Sequence, residues 1–435
     1  MNAPASVNKP TVLVESSHDL PLVSVSVATK TGSLFDPAEL EGLTRLTSRL
    51  MRRTGGGRDA QQIDTQIDAL GGSLAAEVSA SATSFSGTVI RRSLEPYLDL
   101  LGDVLARPGL ADEELGRLQR ESHAELVEAL DDDRGLARRW FRKYMFEGHP
   151  YGRPVSGVSS SISRIAKADV AACAKRLVAR EGLIIAFSGD LTHDEAEHHA
   201  EKLFAALPSG SPPVDATTDP APRAGRRLII VDKPERTQTQ ILIGGTGTHA
   251  SDPDHTALLV GNTIFGGTFT ARMTQEVRSK RGWSYGAYSS LPIDRRRQAF
   301  SMWTFPKAED AAPCVTLELD MLRALREKGV TKKELSWAKR YLTRSHAFAI
   351  DTPAKRVGLA LDARLYDLPE NYYEQYLARV AAASLDDVNK ALLERLPEKD
   401  LLIVVVGTAS TIRAPLEAAI PDLSAVEVVK FDTEV

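Results

Sequence analysis

At 435 residues, 43% hydrophobic and 26% charged, the chain has the composition of an ordinary globular protein and is too long for one compact core, so two to three domains are expected. A net charge of −4 and a pI near 6.2 argue against a general nucleic-acid binder, which would carry a basic stripe, and the clusters Arg91-Arg92, Arg138-Arg139 and Arg295-Arg296-Arg297 all have acids nearby in the chain. No apolar run approaches the ~20 residues of a membrane helix, and Cys173 and Cys314 lie too far apart to suggest a disulfide framework.

The first ten residues, MNAPASVNKP, have neither the basic end nor the apolar centre of a secretory signal. Strand-like sequence follows at once at residues 11–15, TVLVE, so the expectation is a chain that begins where a domain begins, any leader having been trimmed. The alternation of LVSVSV at residues 22–27 predicts a strand with one covered face. The segment Gly42-Leu43-Thr44-Arg45-Leu46-Thr47-Ser48-Arg49-Leu50-Met51 reads as a helix before the turn Gly55-Gly56-Gly57, and no lysine–serine pair follows those glycines to make a phosphate cradle. An amphipathic helix follows at residues 97–105. The apolar run LIIAFSG at residues 183–189 predicts a buried strand, and Thr192-His193-Asp194-Glu195 has capping-box spacing for a helix start. On that helix His193 and His198, five apart, point about 140° away from each other, so they read as a solvated face and not as metal ligands.

Residues 208–225, PSGSPPVDATTDPAPRAG, have linker composition and divide the chain into domains at 1–207 and 226–435. The second half repeats the course of the first: an alternating strand at 238–243, an amphipathic helix at 315–326, and a closing apolar strand at 401–407. Leu183 to Gly189 matches Leu401 to Gly407 at an offset of 218 residues, Asp169-Val170 matches Asp387-Val388 at the same offset, and Gly109 with Glu114-Leu115 matches Gly329 with Glu334-Leu335 at 220. Gly245-Thr246-Gly247 imitates a dinucleotide loop, but Pro253 intervenes before any helix and no acid stands at the downstream strand end. The expected fold is α+β: two homologous lobes, each an antiparallel-dominated sheet with helices packed on one side, facing across a cleft.

Two stretches carry a resemblance. The helix from Gly42 to Met51 resembles the Gly-x-x-His-x-x-Glu-His-Leu/Met segment of the inverted-motif zinc peptidases, the family of pitrilysin, insulin-degrading enzyme and mitochondrial processing peptidase. In that segment two His four apart share a metal on one helix face, with the Glu as general base. Here Arg45 and Arg49 stand at the His positions and Ser48 at the Glu position. An arginine is donor-only and permanently protonated, so it offers zinc no lone pair. The 121–128 helix resembles the one that carries the family's third ligand, with Glu128 at the ligand position. Without the two His one carboxylate cannot hold zinc, and Glu128 is expected instead to pair with Arg45 and Arg49 across the vacated site.

In the second half, Phe265-Gly266-Gly267-Thr268-Phe269-Thr270-Ala271-Arg272-Met273, continuing through Arg278 and Gly282 to Tyr285, resembles the same family's C-terminal signature, with Ala271 a small departure. The resemblance implies that Arg278 and Tyr285 donate to a peptide carbonyl as it gains charge at the zinc. The ordinary alternative pairs Arg278 with Glu276 or another acid and makes Tyr285 a strand residue; Arg272 and Arg281 read as structural or solvated.

The resemblance therefore implies a non-catalytic subunit of a hetero-oligomeric zinc metalloendopeptidase, inactive alone and similar to the processing-peptidase arrangement. No cofactor is expected in this chain; zinc is expected in a partner that retains His-x-x-Glu-His, and the substrates are expected to be extended peptides. The rivals are a scaffold similar to the core proteins of the respiratory cytochrome complex and a homodimeric peptide-binding protein. Neither nucleic acid nor membrane is an expected partner. The resembling bacterial subunits are often exported, which makes the periplasm the expected compartment and the cytoplasm the alternative.

Overall fold

In the computed structural model, which describes residues 9–369 and 371–434, the alternating and apolar runs build two sheets. The first holds β1 (Thr11–Ser16), β2 (Leu22–Thr29), β3 (Ala75–Val78), β4 (Thr83–Ile90) and β5 (Leu183–Gly189), in the order β1-β5-β2-β4-β3. Only β1 and β5 run parallel; the other neighbours are antiparallel. The second sheet holds β6 (Arg226–Asp232), β7 (Gln240–Thr246), β8 (Ala287–Ser290), β9 (Ala299–Thr304), β10 (Leu402–Gly407) and β11 (Leu423–Lys430), in the order β11-β6-β10-β7-β9-β8. Without β11, which lies parallel to β6, this is the first sheet's order with five added to every strand number. The internal repeat in the sequence is thus a repeat of topology, and the fold is α+β.

Side-chain alternation decides which face of each sheet is covered. Along β2 the valines Val23, Val25 and Val27 are buried in the first core, while Ser24 and Ser26 between them lie on the opposite face. The helix Leu43–Arg53 packs into the same core through Leu43, Leu46, Leu50 and Met51, each fully or almost fully buried and contributing about 1.5–3 kcal/mol. The closing strands β5 and β10 read as unbroken apolar runs because they are covered on both faces. In β5, Ile185 and Phe187 enter the main core, whereas Ile184 joins Ala28, Ala82 and Leu365 in a second cluster.

The cover on that second face comes from elsewhere in the sequence. The chain divides into two compact units: residues Met1–Leu126, Pro154–Ala216 and Phe348–Leu368 form one, and Val127–Arg153, Thr217–Ala347 and Pro369–Val435 the other. The helix Pro353–Leu365, late in the chain, packs on β1 and β5 of the first sheet. The helix Asp133–Met145, early in the chain, packs on β7 and β10 of the second, so closely that a Cβ on Gly244 would lie 2.8 Å from Phe141 Cζ. The units are therefore not the contiguous halves 1–207 and 226–435, and helices lie on both faces of each sheet rather than on one. Cys173 and Cys314 are both buried free thiols.

Candidate functional site

In the first unit the Leu43–Arg53 helix starts at Gly42, whose φ of +93° suits glycine and whose Cβ would press on Gly157 and Ile162. The buried carboxyl of Asp36 caps the helix, accepting from the backbone N–H of Gly42 and Thr44 and from the Thr44 hydroxyl at 2.5 Å. Burial, only partly offset by Thr44, Arg176 and Gly42, pushes this carboxyl up to about 6. Ser48 is buried and turns back along the helix, donating to the Thr44 carbonyl at 2.8 Å. A hydroxyl spent in that way faces no substrate.

Arg45, Arg49 and Arg53, four apart, form one stripe of the helix, and Glu121 and Glu125 form a stripe of the same spacing on the helix Asp112–Glu128. Arg45 Nη2 donates to Glu125 Oε2 at 2.9 Å. Arg49 Nη2 lies 2.7 Å from Glu125 Oε1 and 3.5 Å from Glu121 Oε2, and Arg53 forks onto Glu121 at 2.7 and 3.1 Å. The hydrogen bonds from Arg53 hold Glu121 below the usual carboxylate range. Burial opposes ionisation of Glu125, but the bonds and charges of Arg45 and Arg49 outweigh it and hold that carboxyl low as well.

The carboxylate that closes this site is Glu125, with Glu121, and not Glu128. The two helices meet with opposite direction, so the ladder runs from Arg53–Glu121 to Arg45–Glu125 and ends there; Glu128 is the exposed last residue of its helix and pairs with neither arginine. The donor set does not fit zinc: the two positions nearest Glu125 are guanidinium groups without lone pairs, and each carboxylate is already occupied. Among the described residues no three His, Cys, Asp or Glu side chains are grouped so as to hold a metal ion.

The second unit holds Arg278 and Tyr285 side by side. Arg278 lies in a π-helical turn, Gln275–Lys280, which ends at Gly282 with φ +65°. There the Gly282 N–H donates to the Arg278 carbonyl and the Trp283 N–H to the Val277 carbonyl. Ser284 then anchors the chain, donating to the Gly286 carbonyl at 2.7 Å and accepting from the Phe305 N–H at 3.1 Å. Tyr285 projects from this fixed bend and is 72% exposed. It stands two residues before β8, not on the strand.

The Arg278 guanidinium carbon lies 4.3 Å from the centroid of the Tyr285 ring and 4.4 Å from that of Phe269. Arg278 makes no ion pair among the described residues. Glu276, the acid nearest in the chain, is taken by Lys280 and by Arg281 at 2.5 and 2.7 Å, and Arg272 forks onto Glu334 at 2.7 and 2.8 Å. The bonds from Arg272 pull the Glu334 carboxyl down to about 2. Arg272 and Arg281 are therefore structural, and Arg278 alone of the three keeps its donors uncommitted. Phe269, an exposed aromatic on the glycine turn before this segment, is a neighbour of Arg278 that the sequence did not single out; its signal was an apolar residue inside an otherwise small and polar turn. On the helix His193–Ala206, His193 and His198 are exposed and His199 is buried, and the Thr192–Glu195 capping box forms.

Comparison with known proteins bears on both units. The family model described as "Insulinase (Peptidase family M16)" matches residues 11–158, and that described as "Peptidase M16 inactive domain" matches residues 164–342. An uncharacterized zinc protease of Mycobacterium leprae is 28% identical over 322 residues, 73% of this chain and 71% of the relative. A Helicobacter pylori protein described as a non-peptidase homolog is 21% identical over 399 residues, 91% of each chain. The crystal structure of a peptidase M16 inactive domain from Pseudomonas fluorescens superposes with a TM-score of 0.85 at 27% identity, covering 92% of this chain and 96% of that one. No helix among the described residues is long and apolar enough to cross a membrane.

Proposed function

The chain belongs to the M16 peptidase family, the family of the inverted zinc motif, and we propose that it is the non-catalytic subunit of a two-subunit zinc metalloendopeptidase. A partner that retains His-x-x-Glu-His supplies the metal and the chemistry that depends on it. This chain supplies Arg278 and Tyr285, which bind an extended peptide and donate hydrogen bonds to its scissile carbonyl oxygen as negative charge develops there. Donors fixed in advance at such a position are worth about 3 kcal/mol each, because they need no reorganisation when the charge appears.

The observation that carries this reading is the uncommitted guanidinium of Arg278 beside the exposed hydroxyl-bearing ring of Tyr285, in a segment whose Arg272 and Arg281 are both closed onto acids. A scaffold similar to the respiratory core proteins has no use for such a pair. The substrates are unfolded or short peptides held in extended form, in which main-chain hydrogen bonds give affinity with little demand on sequence. The periplasm is the proposed compartment.

The test is reconstitution. Hydrolysis of an unstructured peptide should appear only when this chain is mixed with its His-x-x-Glu-His homologue, with zinc in the ratio of one per pair of unlike chains. Replacing Tyr285 with Phe should abolish most of the activity while leaving assembly intact. Full activity in that variant removes the carbonyl-binding role; activity of the partner alone at the same rate removes the subunit reading altogether.

A further inference from the structure

We propose that Phe269 is a positioning residue for Arg278 and that its exposed ring selects peptides with an aromatic or large apolar side chain beside the group that Arg278 holds. The proposal rests on the reading of Arg278 as a peptide-binding residue and names the substrate class of that same site.

Two ways of holding an arginine are present in this unit. Arg272 and Arg281 are fixed by carboxylates, and this consumes the N–H donors that a ligand would need. Arg278 is flanked by the rings of Phe269 and Tyr285, at 4.4 and 4.3 Å from its guanidinium carbon. An aromatic ring engages the face of the guanidinium plane, whereas the five N–H donors lie in the plane and stay free. Such a contact restricts a long side chain to one orientation and leaves its recognition edge open. Tyr285 cannot be both a hydroxyl donor to substrate and the sole support of its neighbour without the two roles competing for its position. Phe269 has no polar atom to commit, so it can serve as the support.

The surroundings of Phe269 give it no other task. Its turn is already fixed by the bond from the Ala271 N–H to the Thr268 carbonyl and by that from the Ser289 N–H to the Gly266 carbonyl. Thr268 and Ala271 on either side are buried, and a Cβ on Gly266 would meet Ser289 at 2.5 Å, so the turn fits closely against its support. Phe269 nevertheless points outward and is 55% exposed. A large apolar side chain held in water on a rigid turn is a ready contact for another apolar group. Standing against the Arg278 fork, it reads the side chain adjacent to whatever carbonyl or carboxylate that fork binds.

The test uses the full chain alone and a fluorescein-labelled, unstructured peptide containing one Phe, together with its twin in which Ser replaces that Phe. By fluorescence anisotropy the wild-type chain should bind the Phe peptide roughly tenfold more tightly than the Ser peptide, the effect of one well-placed apolar contact. Phe269→Ala should lose that preference and most of the affinity, Phe269→Tyr should restore both to within about twofold, and the melting temperature should not move, since the ring is largely in water. In the reconstituted enzyme Phe269→Ala should lower kcat for both peptides, because Arg278 loses its support, and should raise KM more for the Phe peptide than for the Ser peptide. If Phe269→Ala keeps the wild-type preference, this inference falls while the role of Arg278 stands. If Arg278→Ala binds both peptides as the wild type does, or the wild type binds neither, the reading beneath it falls too.

Discussion

The two units each present arginines in a segment that the sequence marks as a candidate site, and they treat them in opposite ways. In the first, Arg45, Arg49 and Arg53 are interleaved with Glu121 and Glu125 until every charge has a partner. In the second, Arg278 is held by two aromatic faces and pairs with no acid among the described residues. A satisfied ladder of charge is a structural element, since it gains little by exchanging its internal bonds for a ligand's. An arginine fixed without use of its donors keeps its hydrogen-bonding capacity for something outside the chain. The first unit thus neutralises its arginines internally, and the second leaves Arg278 outside any such ladder.

Four measurements would break or sharpen this contrast. The largest change should follow Arg45→His, Ser48→Glu and Arg49→His made together. That triple variant should take up stoichiometric zinc by atomic absorption, with Glu125 as third ligand, and adding Glu125→Gln should release it; zinc binding that ignores Glu125 would refute the geometry given for this site. Next, Tyr285→Phe or Arg278→Ala in the reconstituted enzyme should lower kcat about 100-fold or more. A third test concerns Glu318, fully buried in the helix Ala311–Lys328, where burial pushes its carboxyl up to about 8 against the slight help of the Thr304 hydroxyl. A group raised in the fold contributes fully below its unfolded value near 4.5, and stability is lost as pH rises towards 8. Glu318→Gln should therefore stabilise the protein by about 3 kcal/mol at pH 7 and flatten that slope in denaturant titrations. Glu334, lowered by Arg272, should behave with the opposite sign, its contribution vanishing as pH falls from 4.5 towards 2. Smallest is a comparison of unfolding free energies: Arg49→Ala should cost about 1 kcal/mol, since it removes one of the two arginines on Glu125 and leaves Arg45 and Arg53 in place, whereas Arg278→Ala should stay within about 0.5 kcal/mol. Equal costs would erase the distinction between the two sites.

Much of this was legible in the sequence. The alternation in LVSVSV set the burial of β2, and the offset of 218 residues announced a repeat that the structure shows as two sheets of one strand order; the spacing of Arg278, Gly282 and Tyr285 suited a helix end followed by a strand tyrosine, whereas Tyr285 stands in the bend before β8. What escaped depends on distance through space. Glu125 rather than Glu128 closes the arginine site because of the relative direction of two helices, which no local pattern encodes, although matching four-residue stripes of opposite charge were there to be paired. The Phe269 contact needs the turn at Gly266 and Gly267 to fold back beside the helix end. The unbroken apolar runs of β5 and β10 announced buried strands, but helices were expected on one side of each sheet, and the helix that covers the other face comes from a distant part of the chain.

That cover has a consequence for anyone who handles the protein in pieces. The linker at 208–225 invites a cut, yet a fragment ending there would carry Asp133–Met145 without the sheet it belongs to and would leave Ile184, Ala28 and Ala82 bare for want of Leu365. Neither fragment should stay monomeric by itself, and the two should regain native structure only when produced together. The nascent chain meets the same constraint: its first sheet and the main core beneath it are complete by Leu207, but the second face of that sheet cannot be covered until Leu365 has left the ribosome.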